Sequence, residues 1–570
     1  MSRLKDRIRG RRIWLVLLLL LGVATTGALL QVQAGGQGRP PLADSPKKST
    51  SSGLPGQQFR SVLVPGQGKG GETEVLKARQ AYFLNRYTYP LGYYDATWIQ
   101  NAEKQVGRMA EAVPAGRITY SRANSNSPLA LDPNAMVSLG PMPGQSNNCD
   151  GCYHSGLVSG RINSVTIDPV VTTTVYMGVS NGGVWKTTNC CSAATTWAPT
   201  TDDATVSTIT IDEVTIDPSD HNILYAATGD FRPVGASRGS QGILKSTDAG
   251  ATWTVLGEAI FGANRLDPNP QAFEIYAAVS AVKVDPNNSN TLIAGTKTGL
   301  RMSYDGGANW TAPCSTNAFS GQRQDNTEIV IRDDGATSTI FYAVGWAAGN
   351  LNGANGIYTA TTPASGCPTW TLITTGANGW PSNTGNGTPS NSKPGRIDIV
   401  IAPSNPQIMY AGASDAFYFD ILGIWRSTNG GATWSQRANY QQFKECNGGG
   451  SGSASYGQAY YDQAITVDPN NPDALYYGEV DAFRSSDGGS TWQNVGCVYS
   501  GPDTIYGAQA NIHPDQHDFR YVPGASNQVL FANDGGIWFT NNANVVSTTL
   551  PTIIPLNSTL NTMEFYNGDL

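Results

Sequence analysis

An octapeptide of the form Ser-x-Asp-x-Gly-x-Thr-Trp recurs along this chain, and a recurring unit restricts the fold more than any local propensity does. The clear copies are STDAGATW at Ser246–Trp253, SYDGGANW at Ser303–Trp310, STNGGATW at Ser427–Trp434 and SSDGGSTW at Ser485–Trp492. Degenerate copies end at Trp197 (TTNCCSAATTW) and Trp370 (ATTPASGCPTW), so successive tryptophans lie 56, 57, 60, 64 and 58 residues apart. Each unit opens on a β-branched strand closing on a proline turn: RINSVTIDP, DEVTIDP, VSAVKVDP, RIDIVIAP and DQAITVDP. A second strand follows: TTVYMGVS, NILYAATG, NTLIAGTK, QIMYAGAS and DALYYGEV. A catalytic cluster would occur once, whereas a turn device recurs with the architecture. The motif is therefore read as structural: Asp248, Asp305, Asn429 and Asp487 accept turn N–H groups, glycine supplies positive φ, and the tryptophan fills the space between neighbouring units.

Composition agrees. With 65 Gly, 33 Pro, 25 Tyr and 13 Trp but only 14% charged residues, the chain calls for many short strands and tight turns, an all-β protein. Units opening near Arg161, Val214, Val282, Glu328, Arg396, Asp462 and Asp515 predict a seven-bladed β-propeller over 136–570.

The octapeptides resemble the Asp-box, or bacterial-neuraminidase repeat, of β-propellers. The wider pattern, SGRINSVTIDP…VYMGVSNGGVWKTTN and then LYAATGD…GILKSTDAGATW, ending in NDGGIWFTNN, resembles a group of exported bacterial propellers. That group is similar to the sortilin-type receptor propeller and to the xyloglucan-cleaving glycoside hydrolases. The resemblance runs from about Ser138 to the C-terminus and implies the fold more strongly than any activity, because propellers host unrelated functions. The xyloglucanase-like proteins carry two propellers. PLNSTLNTMEFYNGDL reads as the opening of a further blade, so the chain is expected to be a half or a truncated form.

Residues 1–34 combine a basic start, an apolar run from Ile13 and a small-x-small site before glycine, and read as a signal peptide or an uncleaved membrane anchor. Residues 35–71 read as a disordered Gly/Pro/Ser linker. Over 72–135 the composition predicts a short helical segment, with Trp98, Ala102, Val106 and Met109 at helical spacing. Cleavage would take the net charge from −7 to −12, which disfavours nucleic acid as a partner and leaves membrane contact only to an uncleaved N-terminus. A secreted, cell-surface or periplasmic location follows, with the eight cysteines disposed to disulfides. Adjacent Cys190 and Cys191 are expected to pair outward rather than with each other.

Blade openings line the channel, so Arg161, Arg396, Asp462, Asp515 and His517 are the expected ligand-binding residues at its mouth. On an extended chain His513, Asp515 and His517 project to one side, a facial set suited to a divalent metal; no other cofactor is expected. The loops at Asp285 and Asp468 read as plain turns rather than calcium sites. The resemblance to xyloglucanases implies an acid in a first-blade Thr-Asp-x-Gly-Gly stretch, where this chain has VSNGG with Ser180. DFRPV at Asp230–Val234 is faintly similar to the sialidase Phe-Arg-x-Pro motif and is read as an ordinary loop arginine. The expected function is that of an exported non-catalytic propeller binding a protein, peptide or glycan on its loop face. The alternative is a glycoside hydrolase of xyloglucanase-like or sialidase-like ancestry.

Overall fold

In the computed structural model of the chain, the first strand, second strand and octapeptide of each sequence unit fold into one antiparallel sheet, and seven such sheets follow in order. The structure describes residues 143–145 and 155–562, less 203–205, 207–209, 233–238, 263–277, 298, 315–325, 346–354, 382–393, 417–419, 445–457, 497, 499–511 and 546–549. The signal or anchor, the linker and the helical segment expected over 72–135 lie outside the described residues.

Blade one comprises Ile162–Ile167, Val175–Val179, Gly183–Thr187 and Ala198–Pro199; blade two comprises Ile211–Ile216, Leu224–Thr228, Ile243–Ser246 and Thr254–Leu256. Blade three has Val279–Asp285, Asn288–Thr296 and Gly299–Ser303, with a single bridge from Leu300 to Cys314 at its outer edge. Blades four to seven have innermost strands Asn326–Asp333, Pro394–Ile401, Ala464–Val467 and Gln516–Tyr521. Each innermost strand touches that of the next blade, and the last touches the first, so the ring is closed. The core is divided accordingly: seven apolar clusters each draw their residues from two neighbouring blades. Among the described residues the seam between blades seven and one is closed by packing and hydrogen bonds rather than by strand exchange. The Val165 N–H donates to Asp518 Oδ2 at 2.8 Å, and Trp197 donates from its backbone N–H to Thr559 Oγ1 and from Nε1 to the Leu556 carbonyl. The PLNSTLNT stretch, expected to open a further blade, is thus bonded to blade one, and Ser159 Oγ meets Thr562 Oγ1 at 2.8 Å.

Antiparallel register gives the ring two unlike faces. In blade one Ile162 pairs with Val179, while at the other end Ile167 pairs with Val175 and Val175 with Thr187. The octapeptide turn that follows the third strand therefore shares a face with the proline turn between the first two strands. The start of the first strand and the end of the second lie on the opposite face, the mouth.

On the turn face the four octapeptides carry one repeated network. Ser246 Oγ donates to Asp248 Oδ1 at 2.8 Å and accepts from the Gly250 N–H at 2.8 Å, while Asp248 Oδ1 also accepts from the Thr252 N–H at 2.9 Å. The same bonds recur around Asp305, Asn429 and Asp487. Looser versions close on Asn189 in blade one and, unforeseen from the sequence, on Asn542 in blade seven. The tryptophans do bridge blades: Trp253 Nε1 reaches Thr200 Oγ1 of blade one, and Trp370 Nε1 the Cys314 carbonyl of blade three.

The proline-turn aspartates form a second set of ties that sequence reasoning missed. Asp285 Oδ1 caps its own turn at the Asn287 N–H and also accepts from Ser338 Oγ of blade four at 2.6 Å. Asp217 takes Ser289 Oγ, Asp468 takes Ser526 Oγ, and Asp168 takes His221 Nδ1 at 2.7 Å. One expectation is corrected outright. Cys190 and Cys191 are joined to each other, and Cys314 pairs with Cys367, which ties the outer edge of blade three to the turn of blade four. Both Cys190 and Cys191 pack into the apolar seam beside Val522 and Leu530, leaving them no facing thiol among the described residues.

Candidate functional site

The mouth gathers residues of two kinds of position: those just before an innermost strand (Arg161, Tyr461, Asp462, Asp515) and those just after a second strand (Ser180, Asp230, Glu479, Asp534). Antiparallel pairing brings the two kinds side by side within each blade, and the ring brings blades one, two, five, six and seven together around them.

Tyr461 stands at the centre. Arg161 Nη1 donates to its hydroxyl at 3.0 Å, and Arg396 Nη1 donates to its backbone carbonyl at 2.6 Å, so the two arginines expected at the mouth meet on one residue. Arg161 Nη2 also donates to Ser180 Oγ at 2.6 Å and pairs with Asp230. Arg232, expected to be an ordinary loop arginine, is instead buried: it bonds Asp212 Oδ1 at 2.6 Å and the Asn163 carbonyl at 3.3 Å. Its guanidinium and that of Arg396 both lie over the Phe231 ring, at 4.9 and 5.4 Å from the centroid. Three arginines thus converge, yet each is already bound to a carboxylate or a carbonyl, which leaves them poorly placed to seize an acidic sugar.

The carboxylates divide by environment. Burial alone would raise Asp230, but the adjacent Arg161 and Arg232 hold it below the usual carboxylate range. Burial pushes Asp212 up to about 7 despite Arg232, and Asp398 up to about 7 despite Arg396. Asp534 behaves like Asp230: burial opposes its ionisation, and the His517 hydrogen bond together with the Arg161 charge overcomes it. Its Oδ1 accepts from His517 Nε2 at 2.7 Å and from the Tyr461 hydroxyl at 2.8 Å. Burial drives the His517 imidazole down to about 3, so at neutral pH the contact is a neutral ring donating to a carboxylate. Asp515 is pushed up to about 7 by burial and then by the charge of Asp534; Gln458 Nε2 donates to it at 3.1 Å. Behind it Asp462 is fully buried, and burial followed by the charges of Asp515 and Glu479 raises it well above its ordinary value. Solvent reaches Asp534, its side chain 27% exposed against 0% for Asp230, and Asp515 is likewise only part-buried.

The facial metal set expected from the sequence does not form. Asp515 sits ahead of the strand with φ of +67°, so strand alternation begins only at Gln516. The His517 Nε2 is committed to Asp534, and the His513 ring lies 6.4 Å from that of Trp538, with its Nδ1 against the Pro514 carbonyl. Among the described residues no group of three or more His, Cys, Asp or Glu is placed to hold a metal ion. Among them, too, no helix is long and apolar enough to cross a membrane.

Sequence reasoning missed Tyr461, Asp212, Asp230, Asp398, Glu479 and Asp534. A signal for Asp534 was present: Asn533-Asp534-Gly535-Gly536 occupies in blade seven the turn that Ser180-Asn181-Gly182-Gly183 occupies in blade one. Aligned on the two glycines, Asp534 matches Asn181 rather than Ser180, so an acid stands in the same turn of the adjacent blade but one position on.

No protein-family model matches the chain. It is similar to a xyloglucanase of Hypocrea jecorina (strain QM6a), 25% identical over 382 residues that cover 61% of this chain and 40% of that protein. A xyloglucanase of a Paenibacillus species is 27% identical over 181 residues, 27% of this chain and 17% of that one. Among solved structures, the GH74 enzyme of Niastella koreensis aligns with a TM-score of 0.46 at 19% identity, covering 70% of this chain and 55% of that one, a likeness of fold alone. The chain thus spans well under half the length of the curated relatives it matches, and it is a seven-bladed propeller similar to xyloglucanases.

Proposed function

We propose that this chain is the carbohydrate-directed propeller of a xyloglucanase-like glycoside hydrolase, working on a neutral β-glucan chain laid across the mouth. The observation that carries the reading is the pairing of Asp534, solvent-reached and held ionised, with neighbouring Asp515, pushed up to about 7. Glycoside hydrolysis needs one carboxyl that keeps its proton and one that has lost it, and environments that drive two acids apart in this way supply both roles. The similarity to xyloglucanases supports the substrate class. The internally paired arginines support a neutral rather than an acidic glycan. Export to a secreted, cell-surface or periplasmic location is supported by the Cys190–Cys191 and Cys314–Cys367 bridges. Kinship with Asp-box propellers is supported by the repeated turn network.

The test is reducing-end release from xyloglucan, mixed-linkage β-glucan and sialylated glycans by the full chain. Turnover on the neutral substrates, lowered about 10²–10⁴-fold by Asp534→Asn with binding retained, is expected. A second reading, recognition without hydrolysis, is favoured by one observation, Ser180 standing where the resemblance calls for an acid. Saturable xyloglucan binding with no reducing ends released would establish that reading in place of the first.

A further inference from the structure

The carboxylate of Asp534 is held by groups from blades six and seven, with Arg161 of blade one behind them. His517, second residue of the blade-seven innermost strand, donates Nε2–H to Oδ1 at 2.7 Å. Tyr461, from the approach to blade six, sends its hydroxyl to Oδ1 at 2.8 Å and more distantly to Oδ2 at 3.0 Å. The Tyr461 hydroxyl accepts in turn from Arg161 of blade one, so its single proton is committed to Asp534. The two rings brace each other edge to face, 5.0 Å between centroids, and the His517 side chain is wholly buried. Arg161 also lies over the Tyr461 ring, 5.6 Å from its centroid.

We infer that Tyr461 and His517 are positioning residues that clamp the Asp534 carboxylate, His517 at Oδ1 and Tyr461 across both oxygens, and so fix its rotamer for a ligand at the mouth. The inference rests on Asp534 being a working carboxylate, and the clamp itself is testable without turnover. Two donors on the carboxylate, one of them reinforced by a guanidinium, favour its ionised form. The other titratable groups facing it are Asp515, which opposes its charge, and His513; both come from the segment leading into the blade-seven strand.

The experiment is a pH titration of the Asp534 carboxyl carbon by NMR in the full chain with labelled aspartate, the resonance assigned by its loss in Asp534→Asn. Tyr461→Phe keeps the ring and removes one donor, and His517→Leu removes the other. His517→Gln restores an N–H near the Nε2 position. Each single loss should raise the Asp534 midpoint by about one pH unit, with His517→Gln returning part of it. If xyloglucan is hydrolysed, the acid limb of the rate profile moves by the same amount and kcat falls more than KM changes. A midpoint unmoved in both Tyr461→Phe and His517→Leu, in variants that keep the native near-ultraviolet circular dichroism, overturns the clamp. A midpoint that moves in a chain that releases no reducing ends upholds the clamp and overturns the hydrolase reading alone.

Discussion

The turn face and the mouth face of this ring are built from the same seven sheets and obey opposite rules. On the turn face each octapeptide acid sits near solvent, in a network complete within eight residues, and the network repeats; Asp248 is held down to about 2 by the Thr252 hydroxyl and N–H and by Ser246. At the mouth most of the acids are buried, and their partners come both from their own blade, as Arg232 for Asp212, and from others, as Arg161 for Asp230 and Tyr461 for Asp534. Asp212, Asp398 and Asp515 are all pushed up to about 7 there. Selection for a fold repeats a solution, whereas a binding or reacting site needs different groups at different points around one ligand.

The largest effect that separates the faces should come from Arg232. Its guanidinium, 4% exposed, is the partner of Asp212 and lies 3.5 Å from Asp230. Removing one member of a buried ionic group strands the others, at a cost of about 3–5 kcal/mol. Arg232→Ala should therefore lower the unfolding free energy in urea by that amount, and Asp212→Asn in the same background should recover part of it by removing the stranded carboxylate. A loss below about 1 kcal/mol would show the mouth to be as locally self-sufficient as the turns.

The pH dependence of stability should carry the two faces with opposite signs. Turn-face acids with lowered values, Asp168, Asp248, Asp305 and Asp487, contribute stability that is present above the ordinary carboxylate range and is lost as pH falls through their folded values. The raised acids Asp212, Asp398, Asp462 and Asp515 do the reverse. They bind protons more tightly folded than unfolded, so stability declines as pH rises from about 4 toward 7. His517 and His513, both lowered by burial, oppose that decline, since the unfolded chain takes up their protons below about 6.5. Four acids against two imidazoles leave a net fall. Tm should thus peak near pH 4–5 and drop toward pH 8. Asp398→Asn should flatten the neutral limb by about 1–3 kcal/mol, because an amide does not ionise. A Tm that rises from pH 4.5 to 7 in the wild-type chain would refute the assignment of protonated acids to the mouth.

What could be read beforehand follows the same division. The strands, the blade count and the octapeptide turns are periodic, so comparing copies of a unit within one chain was enough to find them. Asp534, Tyr461 and Asp230 each occur in one blade only, and nothing in the local sequence marks them as neighbours. Their proximity follows from ring closure. Arg161 and Arg396 were found because they open their blades, a position that repeats. The metal set failed for a local reason, since strand alternation was assumed across Asp515, where the backbone is left-handed. Cys190 and Cys191 failed because the core seam beside them could not be foreseen.

The smallest predicted effect tests whether the turn face is interchangeable architecture. Three octapeptides have glycine directly after the acid-bearing step, Gly306, Gly430 and Gly488 at φ of 69, 65 and 68°, and the first has Ala249 at φ 56°. A left-handed alanine costs about 1–2 kcal/mol, yet glycine would return about 0.4–1 kcal/mol of freedom to the unfolded chain. The Ala249 carbonyl, moreover, is pinned from blade one by the Tyr176 hydroxyl at 3.1 Å and Lys186 Nζ at 2.8 Å, so the backbone would keep its conformation in either case. Ala249→Gly should therefore stabilise the chain by no more than about 1 kcal/mol. Xyloglucan binding and turnover should be unchanged, because the turn lies on the face opposite the mouth. A loss of stability beyond that range would mean the blade-one contacts, rather than the turn, set this backbone. A change in turnover would mean the two faces are coupled, and the separation between repeated architecture and unrepeated site would not hold.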